Sequence, residues 1–137
     1  MTTTRRMRRE QEAHSYYQNY AEYNRTLRAW LVIFGVGGLA TLIAHRDLAA
    51  QLAKAGTLSY VVALFLIGAG AQVLIALINK TASWCGYYGE TDPMFQKSRW
   101  YLAMDWLNKH FWLDVFIDLI SLATFGLAIW ELFRLFA

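Results

Sequence analysis

The chain has 137 residues, 57% of them hydrophobic and 16% aromatic, with a formal net charge of +3, one proline and one cysteine. That composition excludes the disordered and collagen-like classes, and a lone Cys85 excludes an intramolecular disulfide. A chain of this length forms a single domain and cannot bury all its apolar runs in a soluble core, so part of its surface faces lipid.

From Arg5 to Arg28 there is neither Gly nor Pro, and Tyr16, Tyr20, Tyr23, Leu27 and Trp30 recur at steps of three and four. This spacing places them on one face of a helix that leads into the first apolar stretch, AWLVIFGVGGLATLIA at 29–44. With Arg28 snorkelling and His45 at the far interface, a first span covers about 29–45. The second, LSYVVALFLIGAGAQVLIALIN at 58–79, is uncharged throughout and long enough to cross a bilayer. The segment KTASWCGYYGETD that follows it, with its glycines and aromatic cluster, reads as a turn at the headgroup level. Asp92 is a good N-cap and Pro93 suits the first helical position. No breaker follows Pro93, so the expectation is one helix to the C-terminus, with a third span at about 112–133 and a projecting part at 93–111. On that part Phe95, Leu102, Trp106 and Leu113 form a near-heptad stripe whose expected partner is the tyrosine stripe of the first helix.

Lys and Arg set the orientation. Ten of the thirteen lie before the first span or between the second and third, and three (Arg46, Lys54, Arg134) lie on the other side. The fold expected is therefore all-α: an integral membrane protein with three transmembrane helices, the first and third extended into the cytoplasm over about 5–28 and 93–111. The N-terminus is expected in the cytoplasm and the C-terminus outside it. No cleavable signal peptide is expected, because the first apolar run starts only near residue 29.

Two aspartates sit one turn apart at the head of the third span. His110, Asp114, Asp118 and Ser121 follow at steps of four, four and three, a polar seam on one helix face. An ionised side chain at membrane depth is costly, so such a seam faces the protein interior, serving ion or proton passage or pairing with a basic group. Alternatively the two carboxylates lie near enough to the interface for snorkelling to soften their cost. Gln72, in the second span, shares a face with Gly68, Ala76 and Asn79, and Gly37 and Thr41 offer a matching small-residue surface in the first. Helix packing explains this pattern, within one copy or between copies around a shared axis lined by Gln72. The arginines Arg5, Arg6, Arg8, Arg9, Arg25 and Arg28 act as a topology signal or bind anionic lipid headgroups. Cys85 is a juxtamembrane palmitoylation candidate or inert.

The three histidines lack ligand spacing, so no metal or other cofactor is expected. The basic residues flank spans, which accounts for the charge without nucleic acid. No HExxH, G-x-S-x-G, glycine-rich phosphate loop or Cys/His pair is present, and no enzymatic activity is expected.

A basic, aromatic helix, RRMRREQEAHSYYQNYAEYNRTLRAW, running into a pair of spans and followed by NKTASWCGYYGE resembles the SLATT-type membrane effectors of bacterial anti-phage systems over residues 5–90. That family has two spans where this chain has three, and no functional residue is carried over. The resemblance implies a homo-oligomer that opens or disrupts the inner membrane once a partner senses infection. The leading expectation is thus a small oligomeric pore-like or membrane-perturbing effector. The competing one is a non-catalytic accessory subunit of a larger membrane complex.

Overall fold

The computed structural model describes the backbone of residues 2–110 and 112–136, and side chains from Gln18 onward apart from those of Glu90 and Asn108. It is all-helical, with no strand among the described residues. The elements are α1 (Thr2–Ala44), α2 (Arg46–Lys54), α3 (Leu58–Thr91), α4 (Pro93–Gln96), α5 (Arg99–Lys109) and α6 (Trp112–Arg134). Three helices, α1, α3 and α6, are long and apolar enough to cross a membrane.

The chain divides into two compact units, Met1–Trp30 and Leu31–Ala137. The first is the N-terminal part of α1, in which Tyr20, Tyr23 and Leu27 are exposed. The side chains of Arg5, Arg6, Arg8, Arg9 and Tyr16 lie outside the described residues.

The second unit is built around α3. Its inward residues Val61, Phe65, Gly68, Gln72, Ile75 and Ala82 are buried and recur at steps of three, four and seven. This is the 3.5-residue seam of one helix packed along another. Against the seam α6 turns Ser121, Phe125 and Ala128, also at steps of four and three. The rings of Phe34, Phe65 and Phe125, from α1, α3 and α6, lie with centroids 5.3–6.3 Å apart. Glycines let the backbones come this close. A Cβ on Gly35 would lie 2.8 Å from Ala69 Cβ, and one on Gly38 would run into the Phe65 ring.

The 45–57 connection is itself partly helical. Leu52 of α2 is fully buried, and Asp47 in the first turn and Lys54 in the last complement the helix dipole. Gly56, with φ +73°, ends it: Gly56 N donates to Ala53 O and Thr57 N to Leu52 O, a Schellman closure that needs a left-handed residue.

Two expectations about the second half of the chain fail. The turn expected in 80–92 is helix, since α3 continues to Thr91. Ala82 and Cys85 extend its buried face, and Tyr101 packs on the bare Cα of Gly89, so that the glycine serves a close approach within a helix. The single long helix from Pro93 onward is three helices. Asp92 caps α4, its Oδ1 accepting from Met94 N at 2.9 Å, as its sequence position suggests. A new start at Ser98, whose Oγ accepts from Tyr101 N at 3.1 Å, begins α5. At the other end of α5, a ring nitrogen of His110 lies 2.6 Å from Trp106 O and the ring stacks on Trp106, which closes α5 before α6 begins. The expected stripe of Phe95, Leu102, Trp106 and Leu113 is thereby divided among α4, α5 and α6. Within this unit α4 and α5 pack on α3, where Phe95 meets Trp84, Tyr88 and Tyr101 edge-on.

Candidate functional site: a polar seam between α3 and α6

α3 and α6 run antiparallel, which brings the two aspartates opposite the two amides of α3. Gln72 Nε2 donates to Asp118 Oδ1 and to Ser121 Oγ, both at 2.9 Å. Ser121 Oγ in turn donates to Gly68 O at 2.9 Å or Ile117 O at 3.1 Å. Nearer the start of α6, Asn79 Nδ2 donates to Asp114 Oδ1 at 3.0 Å. Gln72 and Ser121 are buried, whereas Asp114, Asp118 and Asn79 are partly exposed along the edge of the interface.

Each position follows from the local sequence. Gln72 and Asn79 are seven residues apart, two turns along the inward face of α3. Asp114, Asp118 and Ser121 share a face of α6. His110 does not join them, because it lies beyond the break and caps α5.

A polar group in the apolar seam of two helices fixes their register at a cost in stability. The amides also soften the burial of the two carboxylates, since a hydrogen bond to an ionised acceptor is stronger than a neutral one. Interhelical hydrogen bonds of this type in membranes contribute about 0.6–2 kcal/mol. One acceptor is left over: Gln72 Oε1 is buried and meets no hydrogen-bond donor.

The small residues of the spans divide into two groups. Gly68 is part of the interface, and a Cβ there would lie 2.5 Å from the Phe125 ring and 2.6 Å from Thr124 Oγ1. Gly37 faces open space, Thr41 returns its hydroxyl proton to Gly37 O at 2.9 Å, and Ala76 is exposed. The glycines of α1 that do pack are Gly35 and Gly38. Their three-residue spacing was the available signal, and the aromatic partners Phe65 and Phe125 had none. Arg25 is exposed and Arg28 partly buried, and Cys85 is fully buried, which removes it from the reach of acylation in this fold.

Outside the spans, Lys109 Nζ lies 2.6 Å from Asp105 Oδ2, and this hydrogen bond and charge hold the ammonium above its ordinary pKa. Arg134 pairs with Glu131 at 3.1 Å at the end of α6. Among the described residues no three His, Cys, Asp or Glu side chains converge on a metal position. No family model matches the chain, and neither does any curated protein or solved structure.

Proposed function

We propose that the protein is a non-catalytic helical module of a bacterial inner membrane that acts by lateral association, as an assembly or accessory subunit of a membrane complex or with further copies of itself. One observation carries this reading. The polar groups Gln72, Asp118 and Ser121 bond to one another inside a single copy, across the α3–α6 seam. What the spans leave open is glycine: Gly37, Gly70 and Gly126 each have empty space where a Cβ would point. Small residues on a lipid-facing helix let a second helix approach closely, which is the main source of association where the hydrophobic effect is absent. In this reading the N-terminus lies in the cytoplasm and the C-terminus outside, with the N-terminal arginines on the anionic leaflet.

A second reading keeps the pore-like or membrane-perturbing effector, in the manner the resemblance to SLATT-type proteins implies. The observation in its favour is that Asp118 has no basic partner among the described residues. Expression with a potential-sensitive dye, followed by affinity purification in mild detergent, separates the two. Association predicts an unchanged membrane potential and a discrete complex that Gly37→Leu disperses. Depolarisation on expression, weakened by Asp118→Asn, would favour the effector.

A further inference from the structure

Past Asn79, α3 leaves α6 and runs beside α5. Its buried face there is Ala82, Cys85 and Gly89, and the Tyr101 ring of α5 lies on Gly89. The opposite side of this part of α3 holds Lys80, Trp84 and Tyr87, at steps of four and three. On α5 the side turned away from α3 holds Arg99, Leu102 and Trp106, at steps of three and four, with Trp100 beside them. Trp84, Tyr87, Trp100, Leu102 and Trp106 are each 54–70% exposed.

Two features decide what covers these faces. The first is direction: the helices meet through the sides between them, so the two aromatic faces look away from each other. A single docked protein covers one and leaves the other bare, whereas a lipid layer surrounds both. The second is charge. Lys80, Lys97 and Arg99 have no ion pair or side-chain hydrogen bond among the described residues, while Asp92 caps α4 and Asp105 is paired with Lys109. Aromatic rings and cations together mark the headgroup level, and anionic lipid supplies the missing charge. The length of α3 fits that depth. Its 34 residues rise about 51 Å at ~1.5 Å each. A bilayer with its headgroups measures ~40–45 Å. A tilt of about 30°, within the usual range for membrane helices, brings all of α3 inside those limits. The end of α3 and the neighbouring α5 then lie in the headgroup layer of one leaflet.

We propose that the end of α3 and α5 form a two-sided binding surface for anionic phospholipid headgroups. The aromatic rings lie among the glycerol and upper acyl groups, and Lys80, Lys97 and Arg99 meet the phosphates. This part of the chain is thereby an anchor in the leaflet and not a stalk in water. The proposal rests on the membrane placement of the three spans given above, and not on association between copies.

The test is fluorescence quenching of a thiol-linked fluorophore in nanodiscs. Single labels are placed through Tyr87→Cys on the α3 face, Leu102→Cys on the α5 face and, as a control, Leu122→Cys on the exposed side of α6. Each chain carries Cys85→Ala or, should far-UV circular dichroism show that this background fails to fold, retains the buried Cys85. The quenchers are phosphatidylglycerol or phosphatidylcholine with a nitroxide near the headgroup end of an acyl chain, and iodide in solution. Both faces are expected to be quenched by nitroxide lipid and little by iodide, with phosphatidylglycerol at least about twofold more effective than phosphatidylcholine at equal content. Lys97→Gln combined with Arg99→Gln should bring that ratio toward one at the Leu102→Cys label. Lipid quenching at the α6 control with iodide reaching both faces would overturn the proposal and keep the spans in the membrane. So would lipid contact on one face alone, or equal quenching by the two lipids. Iodide quenching at the α6 control would instead remove the membrane placement, and the proposal with it.

Discussion

Gln72 Nε2 in α3 and Asp118 Oδ1 in α6 lie 2.9 Å apart, 46 residues distant in sequence, and this bond crosses the interface that organises the unit Leu31–Ala137. The two partners are not equivalent. Gln72 satisfies two acceptors, Asp118 and Ser121, whereas Asp118 carries a charge whose burial is costly.

Gln72→Leu should therefore destabilise by about 1–3 kcal/mol, because it strands a carboxylate and a hydroxyl in the seam. Asp118→Asn keeps an acceptor for Gln72 and removes the charge, so its stability should stay within about 1 kcal/mol of wild type or rise above it. A double-mutant cycle read by denaturation in detergent would measure the coupling. Equal losses for both single variants would deny this asymmetry.

The glycines of α1 make a paired prediction. Gly38→Ala drives a methyl group into the Phe65 ring and should cost about 1–3 kcal/mol. Gly37→Ala, one residue earlier, meets open space and should be neutral or stabilising by up to about 1 kcal/mol through helix propensity. Melting curves of the two variants, side by side, check the sidedness of the helix.

Cys85 is fully buried on the inward face of α3. In the folded protein a maleimide should react with it far more slowly than with the unfolded chain, and the reaction should track unfolding. Rapid labelling under native conditions would contradict the continuation of α3 past residue 79.

The Lys109–Asp105 pair has a defined pH dependence. A lysine whose folded pKa is raised contributes stability that is fully present below its ordinary pKa and is lost as pH rises through the raised value. Near neutral pH the pair is therefore complete, and its loss belongs to the alkaline range above the ordinary lysine pKa. Lys109 is exposed, so salt screens the pair. Lys109→Met should move Tm by less than about 1 °C at moderate ionic strength.

Periodicity and hydropathy made much of this fold legible in advance. The apolar stretches at 29–44 and 58–79 lie within α1 and α3, and the spacing of Asp114, Asp118 and Ser121 placed them on one face of α6. Asp92 and Pro93 marked the start of α4 by their chemistry alone. The break at His110 was hidden because it rests on a histidine ring reaching back to Trp106 O, and histidine is an ordinary helix residue in composition. The run of α3 to Thr91 was hidden for the opposite reason. Gly86 and Gly89 look like a turn, and only the Tyr101 ring lying on Gly89 shows why glycine is needed within a helix. That Gln72 meets α6 rather than α1 is a fact of tertiary pairing, since the first span offered it the small residues Gly37 and Thr41 and the third a polar seam.

The central claim is that the acidic face of α6 is paired with α3 within one copy. The most direct measurement is cross-linking in native membranes of a chain carrying Cys85→Ala with Asn79→Cys and Asp114→Cys, using dibromobimane, which fluoresces fully only after both arms have reacted. Asn79 and Asp114 face each other at 3.0 Å between side-chain atoms, so the account predicts a fluorescent product migrating as a monomer. A product of twice the monomer mass, or no doubly reacted product at all, would contradict it.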